Sequence, residues 1–422
     1  MITRRKLLQS FGLSALGMTL SPPLQAEQSE YLPTSNDPEF WVKIRKQFML
    51  ADDKVFFNTG TVGAMPKVVV QKMTEHLTMM ATDVADWAYK NDNEEQFIAG
   101  YNNLVPIRTK VAALLNCSVD EISITDNVTH GMSYLANGIT LQAGDEVLTT
   151  DQEHPGGKGG WLVKEKRHGV IFKSVKIGKP IQSKDEVIEA FVNSFTDKTK
   201  VLMVSHIISG SGAILPVKEL CEAAAKRGIF TILDGAQTVG QIKVDLRDIN
   251  CDAYVGCFHK WIGAPAGCGF MFIKQNRANE IFTTVASTKW DDHTDEGFRF
   301  TQRGTGSFSI LKGLEAALDF HQQIGSDKVY ARIKFLGNRL RNGLRQNKKV
   351  KIYSPAEEAM CAGITVYNIE GWKGLQLQDE FWARERMRPR AAGEFGVRHS
   401  TNIFNSEAEI DRALRLVNAL SA

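Results

Sequence analysis

An aspartate and a lysine are the two residues of this chain whose surroundings least suit a charge. Asp234 closes the run IFTILD, followed by GAQ, and Lys260 stands in CFHKWIGAPAGCG (257–269), after a histidine and among small and apolar residues. A carboxylate at the end of a buried strand needs a cation or hydrogen bonds to offset its desolvation. A lysine among apolar neighbours has its ammonium form disfavoured, which leaves a nucleophilic amine able to form a Schiff base. An aspartate can also keep a pyridine nitrogen protonated. A Schiff-base lysine and an acid at the ring nitrogen are the two protein groups that pyridoxal phosphate requires. On spacing alone, a structural ion pair accounts for Asp234 and Lys260 equally well.

Both residues fall where a parallel sheet presents its strand ends. Short β-branched or apolar runs at 122–125, 146–150, 170–175, 200–207, 229–234, 253–258 and 269–274 predict strands. Several are apolar throughout, as strands buried on both faces are. Helical patterns lie between them: in VKELCEAAAKRG, Val217, Leu220, Cys221 and Ala224 recur at helical spacing and Gly228 is the stop. This alternation predicts an α/β fold, a mostly parallel seven-stranded sheet sandwiched by helices, in a large domain over 27–310 that includes an N-terminal arm. Ligands of such sheets sit beyond the carboxyl ends of the strands. After the long helical segment at 304–325 the pattern changes. A helix at 327–345, strands near 362–369 and 396–401, and a final amphipathic helix predict a smaller C-terminal α+β domain over 311–422.

DGAQ followed by FHKWIGAPAGCG resembles the lysine segment of fold-type I pyridoxal-phosphate enzymes, specifically the class V aminotransferase group. That group takes in cysteine desulfurases, kynureninase and isopenicillin N epimerase-like proteins. The resemblance covers most of residues 55–422, with its motifs in order, and implies a role for each matching position. Lys260 is then the catalytic lysine that carries the cofactor, and Asp234 the partner of the ring nitrogen. His154, in EHPGGKGGW, takes the place of the histidine that stacks on the ring, with Gly157 where desulfurases carry an asparagine. Thr129 and His130, in TDNVTHGMSYLANGI, fall in the phosphate-binding turn at a helix start, where free N–H groups and the dipole favour an anion. Taken alone, Thr129 reads as an ordinary helix cap.

Ser209, in SHIISGSG, stands where desulfurases place an asparagine near the cofactor's phenolic oxygen, and Gln237 matches a contact to that same oxygen. His206 of this loop fits a structural histidine as well as a site residue. His259 matches a phosphate contact, while Cys257 replaces the usual serine with a weaker donor. Thr305, in RGTGS (303–307), matches the residue that reaches the neighbouring subunit's phosphate, which implies a homodimer with shared active sites. Arg398, in GVRHSTNIFNSEAEID, matches the arginine that grips the substrate carboxylate, a task suited to a planar guanidinium with two parallel N–H groups. Phe404 replaces the common tyrosine.

Desulfurases place a catalytic cysteine shortly before that arginine. WARERMRPRAAGEFGVR contains none, and Cys361 falls in an apparent strand, so desulfuration is not expected. FFNTGTVGAMP (56–66) and the arginine-rich stretch 384–390 are closer to the isopenicillin N epimerase-like branch, which also contains transaminases. Transamination at Cα of a small amino substrate is the expected reaction, and epimerisation the alternative. A lyase reaction ranks behind both, and a noncatalytic cofactor-binding scaffold last, since it would be expected to lose Lys260, Asp234 or Arg398.

The chain opens MITRRKLLQSFGLSALGMTLSPPLQAEQ, with paired arginines, a modest apolar run and a small residue, Ala26, at the exit. That order predicts an export signal over 1–26 of the twin-arginine kind, an address read by the export machinery. The apolar run falls short of the ~20 residues a spanning helix needs. Residues 1–26 hold three basic residues and no acidic one, so their removal takes Lys+Arg from 51 to 48 against Asp+Glu 48, a neutral mature chain. Such a balance gives no reason to expect nucleic acid or an anionic membrane as a partner. Six cysteines, at 117, 221, 251, 257, 268 and 361, show neither CxxC pairs nor histidine clusters, so free thiols and no metal site are expected. Twin-arginine export carries folded proteins, which suits an enzyme that captures its cofactor before crossing. The location expected is periplasmic. The substrate expected there is an amino acid, or an amino-acid residue of a peptide-like secondary metabolite such as a siderophore precursor.

Overall fold

The computed structural model describes residues 39–83, 103–302 and 304–422; the export segment at 1–26 and Arg303 lie outside the described residues. After a two-residue strand β1 (Val55–Phe56), seven strands build the large sheet. They are β2 (Ile122–Thr125), β3 (Glu146–Thr150), β4 (Ile171–Val175), β5 (Thr199–Ser205), β6 (Phe230–Asp234), β7 (Ala253–Cys257) and β8 (Gly269–Ile273). Their order is β2-β8-β7-β6-β5-β3-β4; β8 is antiparallel to both neighbours and the remaining pairs are parallel. This is the α/β fold that the alternating pattern predicts, with no strand end shifted by more than two residues.

Alternation of side chains splits the core in two. Leu202, Val204, Leu233 and Tyr254 pack on one face of the sheet, and Val201, Met203, Ile232 and Val255 on the other. Every residue of β3, β6, β7 and β8 is buried; β7 and β8 carry no charged side chain, and the polar residues of β3 (Glu146, Thr149, Thr150) and β6 (Thr231, Asp234) are enclosed with the rest. The central strands β6 and β7 therefore deliver their C-terminal residues into a layer closed on both sides.

The C-terminal sheet is antiparallel, with β9 (Val350–Ile352), β10 (Ile364–Ile369), β12 (Arg390–Ala391) and β13 (Val397–Ser400) in the order β12-β13-β10-β9. Helices Ser326–Leu344, Gly374–Glu385 and Glu407–Leu420 cover it, placing Leu336, Leu340, Phe381, Ile410 and Val417 against Tyr367 and Val397. The short strand β11 (Met387–Arg388) pairs in parallel with β1.

The boundary expected at 310 does not follow the packing. It falls inside the helix Phe308–Ile324, whose Leu311, Leu314, Ala317 and Leu318 join the core under the large sheet. Conversely Val55 and Phe57, near the start of the predicted large domain, pack in the C-terminal core. Residues 55–63 thus run from one sheet to the other: Ser400 N–H donates to Phe57 O at 2.7 Å, and Gly63 N–H donates to His259 O at 2.7 Å. All six cysteines are free thiols, five of them buried.

Candidate active site

Asp234 ends β6 and is 3% exposed. Its Oδ1 accepts the Ala236 N–H at 2.9 Å. Burial pushes its pKa up, against the pull of that N–H and of the nearby Lys260 and His154. Lys260, one turn beyond β7, is half-buried, and no salt bridge joins it to Asp234 among the described residues. The closed ion pair that spacing alone allowed is therefore not formed. Gly157 faces the carboxylate: a Cβ there would stand 2.9 Å from Asp234 Oδ2. The side chain absent at 157 leaves that oxygen open to the cleft.

His154 is the N-cap of the helix Pro155–His168, and its Nδ1 accepts the Gly156 N–H at 3.0 Å. With Nδ1 an acceptor, the neutral ring carries its proton on Nε2. Partial desolvation, then the positive field of Lys260, holds its pKa below the usual value; Asp234 opposes this, and Arg390 and Arg398 add to it. Immediately behind lies Glu153, 5% exposed, whose carboxylate accepts from Thr150 Oγ1 at 2.8 Å and from Ser205 N at 3.0 and 3.1 Å. Burial, with a further push from Asp234, lifts it to about 7.

At the other end of the cleft, the helix Val128–Gly138 is capped by Asn127, not Thr129; the Asn127 side chain accepts the His130 N–H at 3.0 Å. Thr129 and His130 thus occupy the first turn. Thr129 Oγ1 faces the helix that His154 caps, 2.7 Å from where a Cβ on Gly156 would stand. The His130 ring is turned to Asp126, Nδ1 to Oδ2 at 3.3 Å. His259 is half-buried and its Nδ1 is enclosed with no hydrogen-bond partner; burial and then Lys260 lower its pKa. The Cys257 thiol is directed to Ala236 O at 3.5 Å, and burial lifts it to about 11, so a neutral thiol already has its acceptor in the protein.

On the side facing the small sheet, Arg398 of β13 is 4% exposed. It donates to Ser209 Oγ (2.8 Å) and Ser209 O (3.2 Å), to Asn58 Oδ1 (3.1 Å) and to Thr61 Oγ1 (2.9 Å). Its Nε is buried without a partner. Burial, with Arg390 adding repulsion, brings it down to about 9. The Gln237 amide is committed to the scaffold. It donates to Gly60 O at 2.8 Å and to Ser209 Oγ at 3.4 Å, and it accepts from Trp261 Nε1 at 3.0 Å. A cofactor contact donated by the Gln237 amide would have to displace one of these bonds, whereas Ser209 Oγ only accepts, from Gln237 and Arg398, and keeps its hydroxyl proton to donate. His206 bonds Tyr254 Oη at 3.0 Å deep in the core, with burial lowering it to about 4, and is a structural histidine. Thr305 is exposed just before the helix Phe308–Ile324 and makes no hydrogen bond to the cleft among the described residues.

The cleft thus brings together Lys260, Asp234, His154, Thr129, His130, Gln237, Ser209, His259 and Arg398, and leaves Thr305 apart. Sequence reasoning assigned no part to Glu153, Asn58, Thr61 or Arg390. Glu153 adjoins His154 in EHPGG, and Arg390 lay in a stretch noted only for its arginines.

Residues 55–381 match the family model described as Aminotransferase class-V, well over half of the chain. The chain belongs to this family. Among its class-V relatives are the isopenicillin N epimerases of Streptomyces clavuligerus, 27% identical over 399 residues (90% of this chain, 98% of that protein), and of Amycolatopsis lactamdurans, 27% identical over 406 residues (90% and 98%). A probable cysteine desulfurase of Methanothermobacter thermautotrophicus is 28% identical over 294 residues, 68% of this chain and 71% of that one. In fold, the chain is similar to C-DES carrying glycine covalently linked to its PLP cofactor, with TM-score 0.78, 24% identity and coverage of 89% and 99%. It is equally similar to the apo cysteine desulfurase of Thermococcus onnurineus NA1, with TM-score 0.78, 20% identity and coverage of 90% and 98%.

Class-V enzymes depend on pyridoxal phosphate, and the residues present fit it. A buried carboxylate with one oxygen open to the cleft suits a pyridinium N–H. The orphaned His259 Nδ1 is a polar atom that the protein alone leaves unsatisfied. The protein is a pyridoxal-phosphate-dependent class-V enzyme.

Proposed function

We propose that this enzyme transaminates a small amino substrate at Cα. The observation that carries the reading is a half-buried Lys260 beside, but not paired with, buried Asp234, in a cleft walled on the far side by an Arg398 that has no acid partner among the described residues. When bound, pyridoxal phosphate links to an amine through its aldehyde and draws electron density from that amine's Cα into its ring. Asp234 would keep the ring nitrogen protonated, and His154, with Nε2–H as its free donor, would hold the ring. Thr129, His130 through its ring, His259 and the free first-turn N–H groups of the helix Val128–Gly138 would hold the phosphate. Arg398 takes the substrate carboxylate. Lys260 Nζ would hold the cofactor through its aldehyde and, once freed by an incoming amine, would be the group placed to take the Cα proton and deliver it to the cofactor's carbon.

Transamination needs one group to move that proton, and Lys260 supplies it. Cys361 supports setting desulfuration aside: it is buried, with its thiol directed to Pro355 O at 3.5 Å. Epimerisation is the second reading, favoured by the relatives that cover nearly the whole chain. Incubating the loaded enzyme with amino donors in deuterated water separates the two. Transamination converts the cofactor to pyridoxamine phosphate and releases a keto acid. Epimerisation returns an amino acid of inverted configuration carrying deuterium at Cα, with the cofactor unchanged, and that outcome would sink the first reading.

The proposal extends to setting. The enzyme is exported by the twin-arginine route and meets its substrate, an amino acid or an amino-acid residue of a peptide-like metabolite, in the periplasm. It works as a homodimer in which Thr305 completes the partner's phosphate site. Recovery of the mature protein from cytosol alone, or a monomer by sedimentation at full activity, would contradict these two points respectively.

A further inference from the structure

Arg390 and Arg398 are direct partners across the β12–β13 ladder. Like charges opposite one another in an antiparallel pair are destabilising. Here the two guanidinium groups also converge: Arg390 Nη1 and Arg398 Nη2 both donate to Thr61 Oγ1, at 3.1 and 2.9 Å. Thr61 gives its own proton to Asn58 Oδ1 at 2.7 Å, so its oxygen is a pure acceptor shared by the two cations. No carboxylate forms a salt bridge with either arginine among the described residues. The pair is therefore built without its counter-charge. Arg398 is 4% exposed with a buried, unpartnered Nε, whereas Arg390 is exposed at the rim.

We propose that Arg390 is a second anion-binding group, which selects amino substrates bearing a second acidic group beyond the carboxylate held by Arg398. The inference rests on the reading of Arg398 as the site for the substrate carboxylate. A substrate with one carboxylate neutralises one guanidinium and leaves the other facing it. A dicarboxylic substrate neutralises both, and Arg390, at the rim, takes the acid that lies farther from the reacting carbon. Since Arg390 is solvated, its contribution is that of a charge-assisted bond at a partly wet site, and about tenfold discrimination is expected.

Calorimetry on cofactor-free protein tests this with simple acids: succinate and glutarate against butyrate and pentanoate. The wild type should bind at least one dicarboxylate about tenfold more tightly than its monocarboxylate counterpart. Arg390→Gln should bring that ratio close to one, and Arg390→Lys should restore part of it. Equal affinity for both classes in the wild type overturns the proposal. So does an Arg390→Gln protein that weakens mono- and dicarboxylates alike, for Arg390 would then share the single carboxylate of Arg398. A parallel titration of the loaded enzyme with L-glutamate, L-glutamine and L-norvaline, read by cofactor absorbance, reports on the activity itself. If none of the three alters that spectrum, free amino acids of this kind are excluded as substrates, and the calorimetric ratio still decides for or against the second subsite.

Discussion

Asp234 and Gly157 form the contact on which cofactor chemistry turns at the scale of single residues. The carboxylate is buried with one hydrogen bond to the backbone, so its charge is costly until a cation faces it. Asp234→Asn keeps the shape and removes the charge. The expected outcome is a protein that folds and holds some cofactor but turns over amino donors at least ~100-fold more slowly, as judged by kcat against bound cofactor. Gly157→Ala approaches the same point from the other side, since its Cβ would meet Asp234 Oδ2 at 2.9 Å. Equilibrium dialysis should show cofactor affinity at least ~10-fold weaker, with little change in thermal stability. Asp234 and Lys260 were legible in the sequence because each breaks an apolar run. Glu153 was not, because an acid beside a histidine in a loop gives no sign that folding will bury it against Ser205.

The element that organises the cleft is the segment 55–63, an irregular strap between two sheets. It enters through β1 paired with β11, gives Asn58 and Thr61 to Arg398, and ends with Gly63 bonded to His259 O. A Cβ at Gly63 would lie 1.8 Å from Lys260 O, backbone against backbone, which nothing short of displacing one segment relieves. Gly63→Ala should therefore cost ~2–4 kcal/mol in denaturant unfolding and loosen the Lys260 turn, seen as faster loss of cofactor in dilution. Strands β7 and β8 of the large sheet could be read from composition because burial on both faces leaves them apolar. The strap could not: its long-range bonds run to residues as distant as Gln237, His259 and Arg398. The helix Pro155–His168 was hidden for a different reason, since four glycines in its first six residues mask any helical pattern.

For the whole molecule, the buried acid behind the site ties stability to pH. Burial lifts Glu153 from 4.5 to about 7, so the folded chain keeps a proton that the unfolded chain releases. The stability this lends is complete below pH 4.5 and is lost as pH rises through about 7. A shift of this size corresponds to ~3 kcal/mol. Thermal melts of cofactor-free Glu153→Gln should accordingly show a flatter dependence between pH 5 and 8 than the wild type, and no lower stability at pH 8. A variant as steep as the wild type would contradict the assignment. The α/β architecture was legible from strand and helix alternation, but the division at 310 was not. A helix continuous in sequence with the C-terminal unit packs instead on the large sheet, and sequence periodicity does not say against what a face is buried. The central claim is that Lys260 carries pyridoxal phosphate in a site made by both sheets. Borohydride reduction of the loaded protein, proteolysis and mass spectrometry test it most directly. A phosphopyridoxyl group on the peptide containing Lys260, lost in Lys260→Ala, is the predicted result; a label on another lysine, or a protein that never takes up the cofactor, would contradict it.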